Sequence, residues 1–305
     1  MANTITYFLS VRFKKINGPI VERRMMMVFN SHGSLRSVLL CKPDYYEICD
    51  FSEVASQNIK EGIVVSRQAA FEQHSEFENV FLQLGIDIKW QVAQPGHPDQ
   101  VATRDFGVNT IGGVLIGNFR YEDNEGDAEL AIETLEQLKV PIIGQVLKGA
   151  LEGGDCWYLD KHTMVIGIGN RSTMEGVKEA EKILKPFNIN VIPIQFEQKW
   201  NHLDMILSVI AEKTVMLCPE ALPEHFLRYL KNEKYEIINI PGREVFAGTI
   251  NLLALGNEKI LSFQKNKFGN ERLKAIGLEV YDPPLSQFLL GGSGPHCLSF
   301  ELIRE

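Results

Sequence analysis

Helical stripes of apolar residues alternate along this chain with short apolar strands. The first such helical stripe ends at Gly85, and an alternating strand follows at residues 86–88. The apolar positions of the stripe are Phe71, Phe77, Val80, Phe81 and Leu84. Apolar residues three and four positions apart share one face of a helix, whereas alternation indicates a strand with one buried face. The pattern predicts a helix that packs on a sheet and leads into a strand.

The same joint between a helix and a strand occurs four more times, at residues 131–143, 172–192, 223–238 and 273–280. The third copy opens with Ser172 and Glu175, which have the spacing of a capping box. Successive joints are separated by roughly 40 to 55 residues, within the range of propeller-type repeats. Such regularity predicts one structural unit that is repeated along the chain.

Further apolar strands lie between the joints, at residues 114–118, 164–168, 214–218 and 251–255. Each unit therefore predicts an α/β element of two strands, a helix and a further strand. Such units can stack in a doubly wound parallel sheet or close around an axis. Residues 1–35 are basic, do not match the repeat, and predict an extra strand or arm before a single domain at 36–305.

Composition narrows the class of protein. The 305 residues are 45% hydrophobic, enough for a large core, yet no apolar run approaches the roughly 18 residues of a membrane span. Arg12, Lys14 and Lys15 stand where a signal peptide would be apolar, so we expect a cytoplasmic protein. The five cysteines form no CxxC pair, which argues against a disulfide framework and a structural zinc site.

The formal charge of −8 includes no basic block, which argues against nucleic-acid and membrane partners and suits a cationic substrate. If the units close into a ring, the loops roughly 9 to 17 residues after each joint converge on its axis. Those loops are residues 104–105, 152–155, 202–204, the stretch up to Asn251, and 296–297. Four of the five carry ionisable groups suited to catalysis.

Cys297 follows a glycine-rich turn and opens a short apolar strand near the C-terminus. A lone cysteine in that setting is ordinarily a small buried core residue. Cys297 instead occupies the same position in the repeat as the other polar loops, which favours a role as a nucleophile. Because a free thiol has a pKa of about 8.5, such a nucleophile needs an activating neighbour or a cationic ligand, and a guanidinium supplies that charge.

The other loops offer partners for this chemistry. Planar guanidinium groups are matched by carboxylates, and Asp105, Glu152 and Asp204 provide three. His202 is the preferred acid and base. The alternative hypothesis is that its loop and the turn at 151–155 have only a structural role. His296 is the rival base, but adjacent strand residues point to opposite faces and place it away from Cys297.

Four motifs together resemble the guanidine-modifying, or pentein, superfamily: TRD at 103–105, LEGGD at 151–155, HLD at 202–204 and GGSGPHCLS at 291–299. This superfamily includes arginine deiminase, dimethylarginine dimethylaminohydrolase and the amidinotransferases. The resemblance covers roughly residues 37–303. It implies a five-bladed pseudosymmetric α/β propeller and a covalent thiouronium intermediate on the cysteine.

By motif match, the resemblance implies that Cys297 is the nucleophile and that Glu152 and His202 are the acid and base pair. Asp105 and Asp204 would hold the guanidinium nitrogens. Arg171 matches a superfamily arginine that binds the substrate α-carboxylate; the equally weighted alternative is a surface residue before a helix. Arg120 is a weaker second candidate, because residues 121–125 depart from the family pattern.

The resulting hypothesis is a cysteine-dependent hydrolase of the guanidinium C–N bond of arginine or a methylated arginine, which releases citrulline and an amine or ammonia. An amidinotransferase and a non-catalytic pentein-fold binding protein are the alternatives. The TRD tripeptide favours deiminases and amidinotransferases, whereas the compact length and the HCLS ending favour the bacterial dimethylarginine hydrolases. We expect a small arginine-like substrate and no cofactor or metal, and homo-oligomers are compatible with this interpretation.

Overall fold

The structure, a computed structural model, describes residues 27–121, 124 and 126–305. Most of the predicted arm, residues 1–26, lies outside the described residues. The strands are β1 (Leu35–Cys41), β2 (Asp87–Gln91), β3 (Gly107–Thr110), β4 (Gly113–Ile116), β5 (Ile142–Gln145), β6 (Cys156–Asp160), β7 (Thr163–Ile168), β8 (Asn190–Gln195), β9 (Leu207–Ala211), β10 (Thr214–Leu217), β11 (Glu236–Asn239), β12 (Leu253–Gly256), β13 (Lys259–Leu261), β14 (Glu279–Tyr281) and β15 (Phe300–Arg304). The α-helices are α1 (Glu53–Lys60), α2 (Arg67–Gln83), α3 (Asp127–Gln137), α4 (Met174–Leu184), α5 (Glu224–Asn232) and α6 (Lys267–Ala275).

These strands form five sheets of three strands each. In four of the sheets an antiparallel pair is followed by a helix and then by a third strand that pairs in parallel, as in the order β3-β4-β5. The helix is needed because parallel neighbours require a long crossover. The predicted α/β unit of two strands, a helix and a strand is therefore confirmed.

The fifth sheet joins the two ends of the described chain. Strand β15 pairs antiparallel with β1, which pairs in parallel with β2. Neighbouring sheets contact each other through β1 and β12, through β12 and β9, through β9 and β6, and through β15 and β3. The C-terminal strand thus completes the sheet that the first strand begins.

All five predicted joints are present, since α2, α3, α4, α5 and α6 each lead into the third strand of a sheet. The predicted capping box at α4 is wrong. The N-cap is Thr173, whose hydroxyl accepts a hydrogen bond from the Gly176 N–H at 3.2 Å. Ser172 is turned inward instead, and its Oγ accepts from the Glu152 N–H at 3.0 Å.

Apolar faces of the helices pack on the sheets. In α4 the buried residues Val177, Ala180 and Leu184 belong to one cluster with Met164 and Ile166 of β7. Helix α1 was not predicted, because its sequence is largely polar and only Ala55 is buried. No helix within the described ranges is long and apolar enough to cross a membrane.

Candidate active site

The five polar loops share one structural position, because each directly precedes the first strand of a sheet. Asp105 lies before β3, Glu152 before β6, His202 before β9, Asn251 before β12 and Cys297 before β15. The contacts described below bring side chains from these loops together. Convergence was predicted from the repeat: Asp105, His202 and Cys297 line one cleft, while Glu152 contacts His202 and Asn251 contacts Cys297.

Cys297 is buried, with 5% of its surface exposed. Its Sγ lies 3.0 Å from Asn251 Nδ2 and 3.4 Å from Asp204 Oδ2. Gly294 allows this approach, because a Cβ there would lie 2.7 Å from Asn251 Oδ1. Burial, followed by the charges of Asp204 and Asp105, raises the pKa of the Cys297 thiol well above its ordinary value.

His202 is held by a buried carboxylate and is itself buried. Its Nε2 lies 3.0 Å from Glu152 Oε2, and its Nδ1 lies 3.8 Å from Asp105 Oδ1. Burial alone would lower the pKa of His202, but the nearby carboxylates, Asp105 foremost, outweigh it and raise the pKa to about 10. At neutral pH the imidazole is therefore protonated and can donate a proton.

Glu152 also pairs with Arg171, whose NH2 lies 2.8 Å from Glu152 Oε2. Its other oxygen, Oε1, accepts from the Arg120 backbone N–H at 3.2 Å. Burial alone would raise the pKa of Glu152, but Arg171 and His202 together lower it to about 2. Glu152 is thus a fixed anion between two cations, and it does not line the cleft.

Asp105 and Asp204 differ in their surroundings. Asp105 Oδ1 accepts from the Gly154 N–H at 3.2 Å and lines the cleft. Asp204 Oδ2 contacts His296 Nδ1 at 2.8 Å, while its Oδ1 has no hydrogen-bond partner among the described residues. Burial, together with the neighbouring Asp105, raises the pKa of Asp204 to about 7. This oxygen is buried, and Asp204 is not among the residues that line the cleft.

His296, the rival base, faces away from the cleft. Its ring stacks on Trp157 with a centroid distance of 4.1 Å and an angle of 14°. Burial first, and then the positive charge of Arg104, lower the pKa of His296 well below its ordinary value. A neutral imidazole that donates to Asp204 fits a supporting role better than that of an acid and base.

A cleft that opens to solvent lies beside Cys297. Cys297, His202 and Asp105 line it, together with Arg171 and Asp99. Burial, which outweighs the nearby Arg171, raises the pKa of Asp99 to about 7. The cleft is therefore lined by several carboxylates and is suited to a small cation.

The two arginines predicted to bind substrate lie in different places. Arg171 lines the cleft, with its guanidinium carbon 4.6 Å from the Phe51 ring centroid and 5.3 Å from that of Tyr121. Arg120 is exposed, and its NH1 donates to the carbonyl of Asn170 at 2.6 Å. Arg120 is not among the residues that line this cleft, so its predicted contact with substrate has no support in the geometry.

Two residues of the site were missed by sequence reasoning. Asn251 was placed in the repeat but was given no role because its side chain does not ionise. Asp99 lies in a loop after β2, outside the repeat register, and no pattern in the sequence singled it out. Only the register of Asn251 carried a usable signal.

Asp105, Glu152 and His202 also offer one ligand atom each within 4.8 Å of one another, which is the spacing of a metal site. The geometry favours a different interpretation. Arg171 and His202 Nε2 already contact the same Glu152 oxygen, which a metal ion would have to take from them.

Comparison with known proteins shows the family to which the chain belongs. The sequence model of the family described as N,N-dimethylarginine dimethylhydrolase, eukaryotic, matches residues 47–304. The chain belongs to this dimethylarginine dimethylhydrolase family. This family match, together with the similar sequences and structures described below, supports membership of the chain in the pentein superfamily, as the four motifs predicted.

Relatives of this dimethylarginine dimethylhydrolase family member include the uncharacterized protein YkgA of Bacillus subtilis (strain 168), 24% identical over 90% of this chain and 93% of that protein. Arginine deiminase of Borrelia garinii is 26% identical, but the match covers 52% of this chain and 48% of the deiminase. The chain thus spans about half the length of that enzyme.

Solved structures share the fold. The N-terminal domain of ArgZ, an arginine dihydrolase of cyanobacteria, superposes with a TM-score of 0.78 at 19% identity, over 89% of this chain and 98% of that domain. A dimethylarginine dimethylaminohydrolase superposes with a TM-score of 0.71 at 19% identity, over 88% of this chain and 100% of that chain. At such identities the likeness establishes the α/β fold of five small sheets.

Proposed function

We propose that this chain is a cysteine-dependent hydrolase of the guanidinium C–N bond of arginine or a methylated arginine. One observation carries the proposal: Cys297, the protonated His202 and the carboxylate of Asp105 line the same cleft. The five sheets, each with the same strand order, are further proposed to be the blades of a five-bladed α/β propeller.

Substrate binding follows from the charges of the cleft. Asp105 and the free oxygen of Asp204 would accept N–H groups of a guanidinium, which matches carboxylates in geometry and in sign. The guanidinium charge would also offset the carboxylates that raise the pKa of the Cys297 thiol. Binding of the cationic substrate thereby favours formation of the thiolate that attacks it. Arg171 remains the proposed partner of the α-carboxylate.

The reaction proceeds in two halves. The Cys297 thiolate adds to the guanidinium carbon, and His202 donates its proton to the departing nitrogen as the C–N bond breaks, which leaves a thiouronium on sulfur. His202, now neutral, takes a proton from water, and the resulting oxygen nucleophile displaces the thiolate to give a ureido product. Glu152 stabilises the charged imidazole throughout.

Product analysis tests this proposal. Purified protein is incubated with arginine, monomethylarginine, dimethylarginine and agmatine, and citrulline-type products and amines are quantified by mass spectrometry. We expect turnover of at least one of these compounds without an acceptor amine. Turnover that occurs only with an acceptor such as glycine would instead assign an amidinotransferase.

Cys297→Ala tests the nucleophile in the same assay, and Cys218→Ala is the matched control because Cys218 is a buried thiol of another core region. The first variant should lose turnover and the second should keep it. Equal activity of Cys297→Ala and the parent protein would contradict the proposed function.

A further inference from the structure

Asn251 occupies the one repeat position that has no ionisable group, yet it makes the shortest polar contact to the nucleophile. Its side chain is fully buried in the loop before β12. Its Nδ2 lies 3.0 Å from Cys297 Sγ, closer than the 3.4 Å that separates Asp204 Oδ2 from the same sulfur. The amide therefore contacts the atom that reacts.

The orientation of this amide is fixed by the backbone. Asn251 Oδ1 accepts from the His296 N–H at 3.0 Å and from the Cys297 N–H at 3.3 Å. An N–H group can only donate, so a rotated amide would set two donors against its own NH2. The oxygen must face the backbone, and the NH2 is consequently directed at the sulfur.

We propose that Asn251 is a catalytic residue whose side-chain amide stabilises the Cys297 thiolate by donating a hydrogen bond to Sγ. The inference rests on the proposed role of Cys297 as the nucleophile. A thiol sulfur is a weak acceptor, whereas a hydrogen bond to an ionised group is roughly twice as strong as one between neutral groups. The contact therefore strengthens when the proton leaves.

The two polar neighbours of the sulfur have opposite preferences. Asp204 Oδ2 can accept from the S–H group and favours the thiol, while Asn251 can only donate toward sulfur and favours the thiolate. A bound guanidinium would engage Asp204 and weaken its hold on the thiol proton. Asn251 would then remain as the donor that holds the thiolate in position for attack.

The test measures thiolate formation directly and needs no turnover. The rate of alkylation of Cys297 by iodoacetamide is followed from pH 6 to 10 without substrate, by mass spectrometry of the peptide that carries Cys297. Two variants are compared with the parent protein: Asn251→Ala removes the whole amide, and Asn251→Asp keeps an oxygen for the two backbone N–H groups but loses the donor.

We expect alkylation of both variants to slow about 10- to 100-fold at a pH below the thiol midpoint, the range for one hydrogen bond to a charged group. Asn109→Asp is the matched control. Asn109 is a buried asparagine whose Nδ2 donates to the Leu302 carbonyl at 2.9 Å. Its substitution should leave the Cys297 alkylation rate unchanged.

Asn251→Asp separates a catalytic role from a structural one, and it decides the matter even where Asn251→Ala fails to fold. If Asn251 served only to hold the backbone of the nucleophile loop, Asn251→Asp would be alkylated as fast as the parent protein. That result would overturn the proposal. Because no step of the measurement depends on turnover, a failure of the proposed hydrolase activity would leave this result interpretable.

Discussion

Replacement of Glu152 by glutamine probes one of the carboxylates that raise the pKa of His202. The variant removes the anion 3.0 Å from His202 Nε2 and 2.8 Å from the Arg171 guanidinium while it keeps nearly the same shape. A hydrogen bond to a charged group contributes about 1.5 to 3 kcal/mol, and 1.36 kcal/mol corresponds to one pKa unit. The pKa of His202 should therefore fall from about 10 to between about 8 and 9.

This change is measured by NMR titration of the His202 ring resonance, assigned by comparison with a His202→Asn variant. The pH–rate profile should change as well. With a lower pKa, His202 loses its proton at a lower pH, so the decline in rate that follows loss of this acid should begin at a lower pH. Glu78→Gln is the matched control. Glu78 also contacts a histidine, His74, through Nδ1, but in α2 and away from the cleft.

The same substitution has a cost in stability. Removal of one partner of a buried ion pair costs about 3 to 5 kcal/mol, because Arg171 is left as an uncompensated buried charge. The pKa of Glu152 is lowered, so its stabilising contribution is present above the ordinary value of 4.5 and is lost as the pH falls through about 2. An unchanged His202 titration in Glu152→Gln would refute the assignment of Glu152 as a group that raises the pKa of His202.

Three further predictions concern other contacts. Because the pKa of Asp204 is raised to about 7 and a guanidinium favours its ionised form, KM should fall as the pH rises from 6 to 8. Asp204→Asn should weaken that dependence in steady-state assays, and Asp99, whose pKa is also about 7, accounts for the remainder. Trp157→Leu removes the ring that stacks on His296 and should lower the free energy of unfolding by about 1 to 3 kcal/mol, measured by urea titration; no change would contradict the packing. Arg120→Ala should leave KM within about twofold, since its side chain bonds the Asn170 carbonyl outside the cleft lining; a KM increase above about tenfold would place Arg120 against substrate instead.

The repeat was readable because its signals are local. A helix that ends at Gly85 and a strand that follows at once reflect hydrophobic spacing and backbone freedom, and both survive in the structure. The register of the repeat also placed Asp105, Glu152, His202 and Cys297 in equivalent loops. These positions depend on the order of elements along the chain and not on the details of packing.

Other features depended on tertiary contacts that no local pattern encodes. Ser172 has the spacing of a capping residue, yet it bonds the Glu152 backbone, because the buried loop of Glu152 needs an acceptor. Asn251 lacks a charge, so its importance emerges only from the 3.0 Å contact with Cys297. For Arg171, a substrate-binding role and a surface position were weighed equally, and its pairing with Glu152 and its aromatic neighbours bury it.

The most direct test of the account is mass spectrometry of intact enzyme that is quenched in acid during turnover of arginine or a methylated arginine. The account predicts a covalent adduct on the peptide that carries Cys297, with the mass of a thiouronium formed after loss of one amine. The adduct should be absent without substrate. Turnover with no adduct on Cys297, together with an active Cys297→Ala variant, would contradict the central claim.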